Sequence, residues 1–100
     1  MHIDINQTND KTFAKVVGRI GTAETPQFEE QVRPLMMGEN PVIEMDCAEL
    51  NYISSSGLRI IFMLQKSVNE RKGSLVLTNM QDSVLRVFNM TGFSKIVKIQ

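Results

Sequence analysis

Apolar and polar residues alternate in short runs that predict five strands along the chain. Two runs, His2–Gln7 and Lys11–Ile20, are separated by the turn-forming pair Asn9-Asp10, so we expect them to form a β-hairpin. A third run, Pro41–Cys47, alternates less strictly, as expected for a central strand of a sheet. Two more strands are predicted over Ser74–Thr78 and Lys95–Ile99.

The segment after the hairpin repeats apolar residues at helical spacing. We expect Thr25 to be the N-cap of this helix and Pro26 its first helical residue. Pro34 lacks the N–H that a helix interior requires, so a kink or an early end is expected there. Gly38 and Asn40 are expected to close the helix. Its apolar stripe consists of Phe28, Val32, Leu35 and Met36.

Two further helices are predicted, the first from about Ser56 to Arg71 and the second over Asp82–Asn89. Gly73 and Gly92 follow their last turns, the position where glycine commonly ends a helix. Methionine fills irregular gaps in apolar cores, so three methionines are expected inside. These are Met63, Met80 and Met90.

The resulting order is ββαβαβαβ, which predicts an α/β fold. Strands that alternate with helices favour a mixed, mostly parallel sheet with right-handed crossovers. A chain of 100 residues can cover such a sheet well on one side, so the helices are expected to pack mainly against one face. Without a linker, a repeat or a low-complexity stretch, residues 1–100 are expected to form one domain.

Composition narrows the functional classes. Eleven basic residues balance eleven acidic ones, which leaves no electrostatic basis for direct nucleic-acid binding. The first residues lack the basic and apolar regions of a secretion signal, and the longest apolar run, Ile60–Leu64, is too short to insert in a membrane. The single cysteine, Cys47, is expected to be a small buried apolar residue. We therefore expect a cytoplasmic protein that needs no cofactor or metal.

The sequence contains few of the residues and motifs that enzymes use for catalysis. Serine catalysis usually requires a positioned histidine, and the one histidine of the chain is His2, where fraying is expected. The nucleophile elbow, the phosphate-binding loop and the dinucleotide-binding glycine pattern are all missing. No catalytic residue is therefore predicted.

The most informative segment is Asp46–Phe62, in which three serines precede a glycine and an apolar helix. Ser55 and Ser56 are placed at the start of that helix, where backbone N–H groups have no partner within the helix. One serine can cap the helix, and a second, exposed serine could accept a phosphoryl group that the helix dipole would tolerate. Gly57 permits another backbone to approach closely. A serine-rich cap without any further role is the plainer interpretation, and spacing alone leaves both open.

This segment resembles the motif of STAS domains, the fold of bacterial anti-sigma factor antagonists. Two other segments also resemble the family: Val16–Ile20 is similar to its second strand, and Asp82–Ile96 to its last helix. Phe28 and Val32 match core positions of the intervening helix, so the resemblance covers essentially the whole chain. The residues that fit the central motif in register are Asp46, Leu50, Tyr52, Ile53, Ser55, Ser56, Gly57 and Leu58.

The resemblance implies a binding protein that takes part in partner switching. Its partner would be an anti-sigma factor that is also a serine kinase using ATP, and a phosphatase would be a further partner. By the register of the motif, the phosphate acceptor is Ser55. The residues that the resemblance assigns to partner binding are Gly21, Thr22, Ser54, Ser55, Ser56, Gly57 and Arg59.

The chain departs from the family pattern at two positions near the acceptor. Ser54 stands where phosphorylated antagonists often have aspartate, and Gly21 stands where many have aspartate after the second strand. The site is therefore less acidic than in those relatives. Arg59 could pair with a phosphate on Ser55 or with an acid of the partner, or remain solvated. The alternative function is that of a STAS adaptor without a phosphorylation switch, such as a subunit of a lipid-transport system.

Overall fold

The computed structural model describes residues 1–38 and 41–100. Within these residues the elements follow the predicted order ββαβαβαβ, with a short 3-10 helix at Phe93–Lys95 before the last strand. The strands are β1 (His2–Gln7), β2 (Thr12–Ile20), β3 (Val42–Ile53), β4 (Ser74–Thr78) and β5 (Lys98–Ile99). The helices are α1 (Thr25–Met37), α2 (Ser55–Glu70) and α3 (Asp82–Thr91). Asn40, predicted to help close α1, lies outside the described residues.

The strands form one mixed sheet in the order β1-β2-β3-β4-β5. β1 is antiparallel to β2, as the predicted hairpin requires, and every other neighbouring pair is parallel. Each parallel pair is connected through one helix, and crossovers that advance in one direction with the same hand place their helices on the same face. The predicted α/β fold is therefore confirmed.

Burial along the strands shows which face the helices cover. Along β2, Thr12, Ala14 and Val16 are buried, whereas the alternate residues Phe13 and Lys15 are exposed. This period of two is expected for a sheet with one covered face. The helices contribute the other half of the core, through Phe28, Val32, Leu58, Ile61, Leu64, Val84 and Phe88.

β3 is longer than predicted and continues from the expected end at Cys47 to Ile53. The extension is stabilised by parallel pairing with β2 that continues to Ile20 and Ile53. Two irregularities in the pairing, between Lys15 and Val17 and between Gly18 and Arg19, shift the register, and at each of them β3 contains one residue more than β2. Gly18 has a φ of 99°, which favours glycine. The longer strand places the serine motif at the C-terminal ends of β2 and β3.

The expected N-cap of α1 is wrong, and so is an early end of the helix at Pro34. Thr25 is the first helical residue, and Glu24 occupies the N-cap position. Pro34 lies inside the helix, which continues beyond it to Met37. The last turn is stabilised from α2, since Ser67 Oγ donates to the Met36 carbonyl at 2.8 Å and Arg71 donates to the Leu35 carbonyl at 2.7 Å.

The methionine and last-strand predictions are corrected in part. Met80 packs partly against the core, but Met63 and Met90 are exposed because other residues of their helices occupy the inward faces. The strand predicted over Lys95–Ile99 is reduced to Lys98–Ile99, and Ile96 is exposed after the 3-10 turn.

Cys47 is fully buried in β3, as expected. Burial raises the pKa of its thiol from 9.0 to about 12, and the nearby charge of Asp46 adds to the shift. The thiol therefore stays protonated at neutral pH. Among the helices that the structure describes, none combines the length and hydrophobicity needed to cross a membrane.

Candidate functional site

Ser54 joins the end of β3 to the start of α2. Its backbone is extended, with φ −87° and ψ 170°, and its Oγ accepts a hydrogen bond from the Gly57 N–H at 3.2 Å. Its own N–H donates to the Ile20 carbonyl at 2.8 Å, and its carbonyl accepts the first helical bond from Leu58. Ser54 is thus the N-cap, and α2 begins one residue earlier than predicted, at Ser55.

The Ser56 hydroxyl lies at the centre of what we call the hydroxyl network, formed by the side chains of Ser54, Ser56 and Thr25. Its Oγ is 2.9 Å from Ser54 Oγ and 2.8 Å from Thr25 Oγ1. Thr25 is buried and donates in turn to the Gly21 carbonyl at 2.9 Å. The network connects the start of α2 with the start of α1 and holds the Ser56 hydroxyl in place.

Ser55 is the exposed residue of the serine motif. Across the described chain, none of the side-chain hydrogen bonds involves its hydroxyl. Its backbone N–H and that of Ser56 are likewise without acceptors in that part of the chain, as is normal in the first turn of a helix. Ser55 therefore presents a free hydroxyl next to unpaired N–H groups.

Gly57 allows α2 to pack closely on the strand ends. A Cβ at this position would lie 2.9 Å from Ile20 Cγ2 and 2.9 Å from Ile53 Cγ1, closer than real Cβ contacts come. Both isoleucines belong to the core and have little room to move. The absence of a side chain at Gly57 therefore sets how closely the start of α2, including Ser55, approaches the ends of β2 and β3.

The loop between β2 and α1 borders the same corner. The Gly21 N–H donates to Glu24 Oε1 at 2.8 Å, and this oxygen also lies 3.6 Å from Arg19 Nε. The Arg19 guanidinium stacks over the Tyr52 ring at 4.7 Å from its centre. Thr22 is exposed in the loop.

The predicted site residues thus fall into two groups. Hydrogen bonds and packing bring Gly21, Ser54, Ser56 and Gly57 together at the corner where β2, β3, α1 and α2 meet. The others, Thr22, Ser55 and Arg59, are exposed around it.

Four residues at this corner were not assigned to the site from the sequence: Arg19, Glu24, Thr25 and Tyr52. Arg19 and Tyr52 are neighbours because β2 and β3 pair in parallel at that register, after two irregularities. Thr25 was assigned to helix capping, whereas its hydroxyl reaches Ser56 across 31 residues of sequence. These are long-range contacts that periodicity does not indicate.

The corner contains hydroxyl groups, and in the described part of the chain the groups that would activate a serine for catalysis are not bonded to them. Within residues 1–38 and 41–100, no histidine or carboxylate is hydrogen-bonded to any of the three serines. His2 lies in β1 and pairs with Asp4 at 2.7 Å. No cluster of metal-ligating side chains is found in the same part of the chain. The geometry suits an acceptor of a modification and a contact surface.

Comparison with known proteins places this geometry among related folds. The family model of the STAS domain matches residues 2–100. The anti-sigma-B factor antagonist of Listeria monocytogenes is 32% identical over 85 residues, which cover 85% of this chain and 75% of that protein. A crystal structure of an anti-sigma factor antagonist from Mycobacterium paratuberculosis superposes with a TM-score of 0.87 at 16% identity, covering 98% of this chain and 83% of that one. The phosphorylated form of the Bacillus cell fate determinant SpoIIAA superposes with a TM-score of 0.74 at 15% identity, covering 99% and 91%.

Proposed function

This chain belongs to the STAS domain family, and on that premise we propose that it is an anti-sigma factor antagonist whose binding is ended by phosphorylation of Ser55. Its partner in this proposal is a cytoplasmic anti-sigma factor that is also a serine kinase using ATP. The Listeria relative is named as an anti-sigma-B factor antagonist, which supports the class of partner. The fold neighbour SpoIIAA exists in a phosphorylated form, which supports the kind of switch.

The exposed, unbonded hydroxyl of Ser55 is the observation that carries the proposal. Its two neighbours are engaged, since Ser54 Oγ caps α2 and Ser56 Oγ bridges Ser54 and Thr25. A kinase that phosphorylated Ser56 would have to break this network first. Ser55 can be modified without breaking any of these hydrogen bonds.

The position of Ser55 also suits a phosphate once it is attached. The phosphate adds about −1.5 to −2 charges next to the free N–H groups at the start of α2. A negative charge there is stabilising by about 0.3–1 kcal/mol. The fold is therefore preserved, and the cost of the modification falls on the contact with the partner.

In this proposal the contact surface is formed by Ser54–Arg59 together with Gly21 and Thr22. Phosphate in a fitted contact would lose its hydration and repel acidic or phosphate groups of the partner. A loss of about 1.4 kcal/mol corresponds to a tenfold loss of affinity, so a small mismatch is enough to separate the proteins. The chain itself is a substrate of its partner and performs no catalysis.

The experiment that tests this function is phosphorylation by the cognate kinase. Incubated with that kinase and ATP, the chain should gain one phosphate, which mass spectrometry should locate at Ser55. Ser55→Ala should abolish the modification, whereas the matched variant Ser56→Ala should only slow it, because it removes one link of the network. Phosphate at Ser54 or Ser56 in Ser55→Ala would show that the acceptor is misassigned.

A protein that gains no phosphate and binds no anti-sigma factor would instead favour the STAS adaptor. Co-purification with subunits of a lipid-transport system would then identify that alternative. The two functions therefore predict different partners for the same corner.

A further inference from the structure

Two arginines, Arg19 and Arg59, lie at the corner where β2, β3, α1 and α2 meet. Arg59 lies one helical turn after Ser55 and is exposed. Within the described residues its guanidinium forms no ion pair, and the first turn of α2 contains no acidic side chain. A positive charge near the start of a helix is unfavourable because it faces the positive end of the helix dipole. Arg59 therefore brings the fold no electrostatic benefit at this position.

Arg19 is the second arginine at this corner, and it is held in a defined orientation. Its guanidinium stacks on Tyr52 at 4.7 Å and lies 3.6 Å from Glu24 Oε1, yet 63% of its side chain remains exposed. Stacking on a ring fixes the plane of a guanidinium and leaves its edges free to donate. Arg19 is thus a pre-oriented donor that is only partly occupied.

An ion pair followed by hydrogen bonds connects Arg19 to the serine motif. Glu24 Oε1, which faces Arg19, also accepts from the Gly21 N–H. The Gly21 carbonyl accepts from Thr25, whose hydroxyl contacts Ser56. Both contacts use Glu24 Oε1, and the Glu24 side chain is 28% exposed, against 63% for Arg19. The most accessible charges at this corner are therefore those of the two arginines.

We infer that the anti-sigma factor presents carboxylates to Arg19 and Arg59, so that an acidic surface of the partner docks on this corner. This inference rests on the proposed function, which supplies the partner. Guanidinium groups bind carboxylates through paired, charge-assisted hydrogen bonds, and arginine and tyrosine are frequent among the residues that dominate interfaces. The absence of aspartate at positions 21 and 54 removes acids that would repel such a surface.

The same arrangement explains how phosphorylation would release the partner. A phosphate on Ser55 carries the same sign of charge as the carboxylates that approach the arginines. It would compete with them for Arg59, one turn away, and repel them at the same time. Binding and release would therefore use the same charges.

Charge variants test the inference against the purified cognate anti-sigma factor, with affinity measured by calorimetry. Arg59→Glu and Arg19→Gln should each weaken binding by at least about tenfold. Arg59→Glu should keep or slightly raise the melting temperature, because an acid near the start of a helix is favourable. The matched control is Arg86→Glu, which reverses another exposed arginine on α3 and should change the affinity by less than about twofold. The wild-type affinity should also fall with added salt, and less steeply in Arg59→Glu.

Two results would overturn the inference while the proposed function stands. In the first, both arginine variants bind as tightly as wild type, although Ser55→Glu still weakens the complex. In the second, Arg86→Glu weakens binding as much as Arg59→Glu, which would mean that net charge and not position controls affinity. If the wild-type chain neither binds the anti-sigma factor nor is phosphorylated by it, the proposed function fails as well.

Discussion

Ser55 differs from Ser54 and Ser56 in its surroundings, although all three are serines in one short run. The hydroxyls on either side are engaged in the cap and in the hydroxyl network, and that of Ser55 is exposed. The sequence motif indicated that a serine would cap the helix and that another would remain exposed. In the structure Ser54 is the cap and Ser55 is the exposed serine, because β3 ends at Ile53 and the next residue becomes the N-cap.

A negative charge at Ser55 should weaken binding to the partner without lowering the stability of the fold. Ser55→Glu places a carboxylate beside the free N–H groups of α2, where negative charge is mildly favourable, so the melting temperature should stay nearly unchanged. Affinity for the anti-sigma factor should fall by at least about tenfold, since the charge enters the contact. Ser55→Ala, which adds no charge, should bind like wild type. A variant that unfolds would contradict the position of Ser55 at the helix start.

Binding of Ser55→Glu with wild-type affinity, in a folded protein, would argue against the switch. The adaptor function would then be favoured over the antagonist. Calorimetry and thermal denaturation on the same preparations distinguish these results.

Among the elements, α1 shows most clearly what a local pattern leaves out. Its apolar stripe correctly predicts which residues face the core, with Phe28, Val32 and Leu35 buried. Pro34 was expected to end or kink the helix, because a proline removes one helical hydrogen bond. The helix nevertheless continues to Met37, and α2 donates hydrogen bonds to the carbonyls of its last turn, contacts that no property of the α1 sequence reveals.

Arg71 is the residue of α2 on which this support depends. Its guanidinium donates to the Leu35 carbonyl at 2.7 Å, to the Gly38 carbonyl at 2.5 Å and to the Ser67 carbonyl at 3.2 Å. The Leu35 and Gly38 carbonyls lie at the end of α1, where carbonyls have no partner within the helix. The Ser67 carbonyl also accepts from the backbone N–H of Arg71. Arg71 therefore connects the C-terminal ends of the two helices.

Removing this side chain should destabilise the end of α1. We expect Arg71→Ala to lower the free energy of unfolding by about 2 kcal/mol, because charged donors to part-buried carbonyls are lost. Urea denaturation measures the loss, and amide exchange should quicken in the last turn of α1. The control is Arg33→Ala, whose exposed pairing with Glu29 at 3.8 Å should contribute less than about 0.5 kcal/mol. Equal effects of the two variants would show that Arg71 contributes no more than an ordinary surface charge.

For the molecule as a whole, the sequence was sufficient for the fold class and the order of elements. Hydrophobic periodicity separates strands from helices, and the handedness of crossovers limits their arrangement to a few topologies. The length of β3 was underestimated because its last residues extend along β2 through an irregular register. The Arg19–Tyr52 stack depends on that register and could not be predicted without it.

The stability of the whole molecule should depend on alkaline pH, because the Cys47 thiol is buried in the central strand β3. Burial raises the pKa of this thiol from 9.0 to about 12 in the folded protein. Below pH 9 the thiol is protonated in both states and the shift has no effect on stability. Between pH 9 and pH 12 the unfolded chain releases the proton and the folded one retains it, so stability falls as the pH rises.

At pH 10 this group should therefore lower the free energy of unfolding by about 1 kcal/mol relative to pH 7. The comparison variant is Cys47→Ala, which lacks the titrating thiol but retains every other titrating group, including the lysines. Urea unfolding of both proteins should show that the stability of wild type declines more between pH 7 and pH 10, by about this amount. If the two proteins lose stability in parallel, the thiol ionises as easily in the folded protein as in the unfolded chain, and the core around the middle of β3 is open to water.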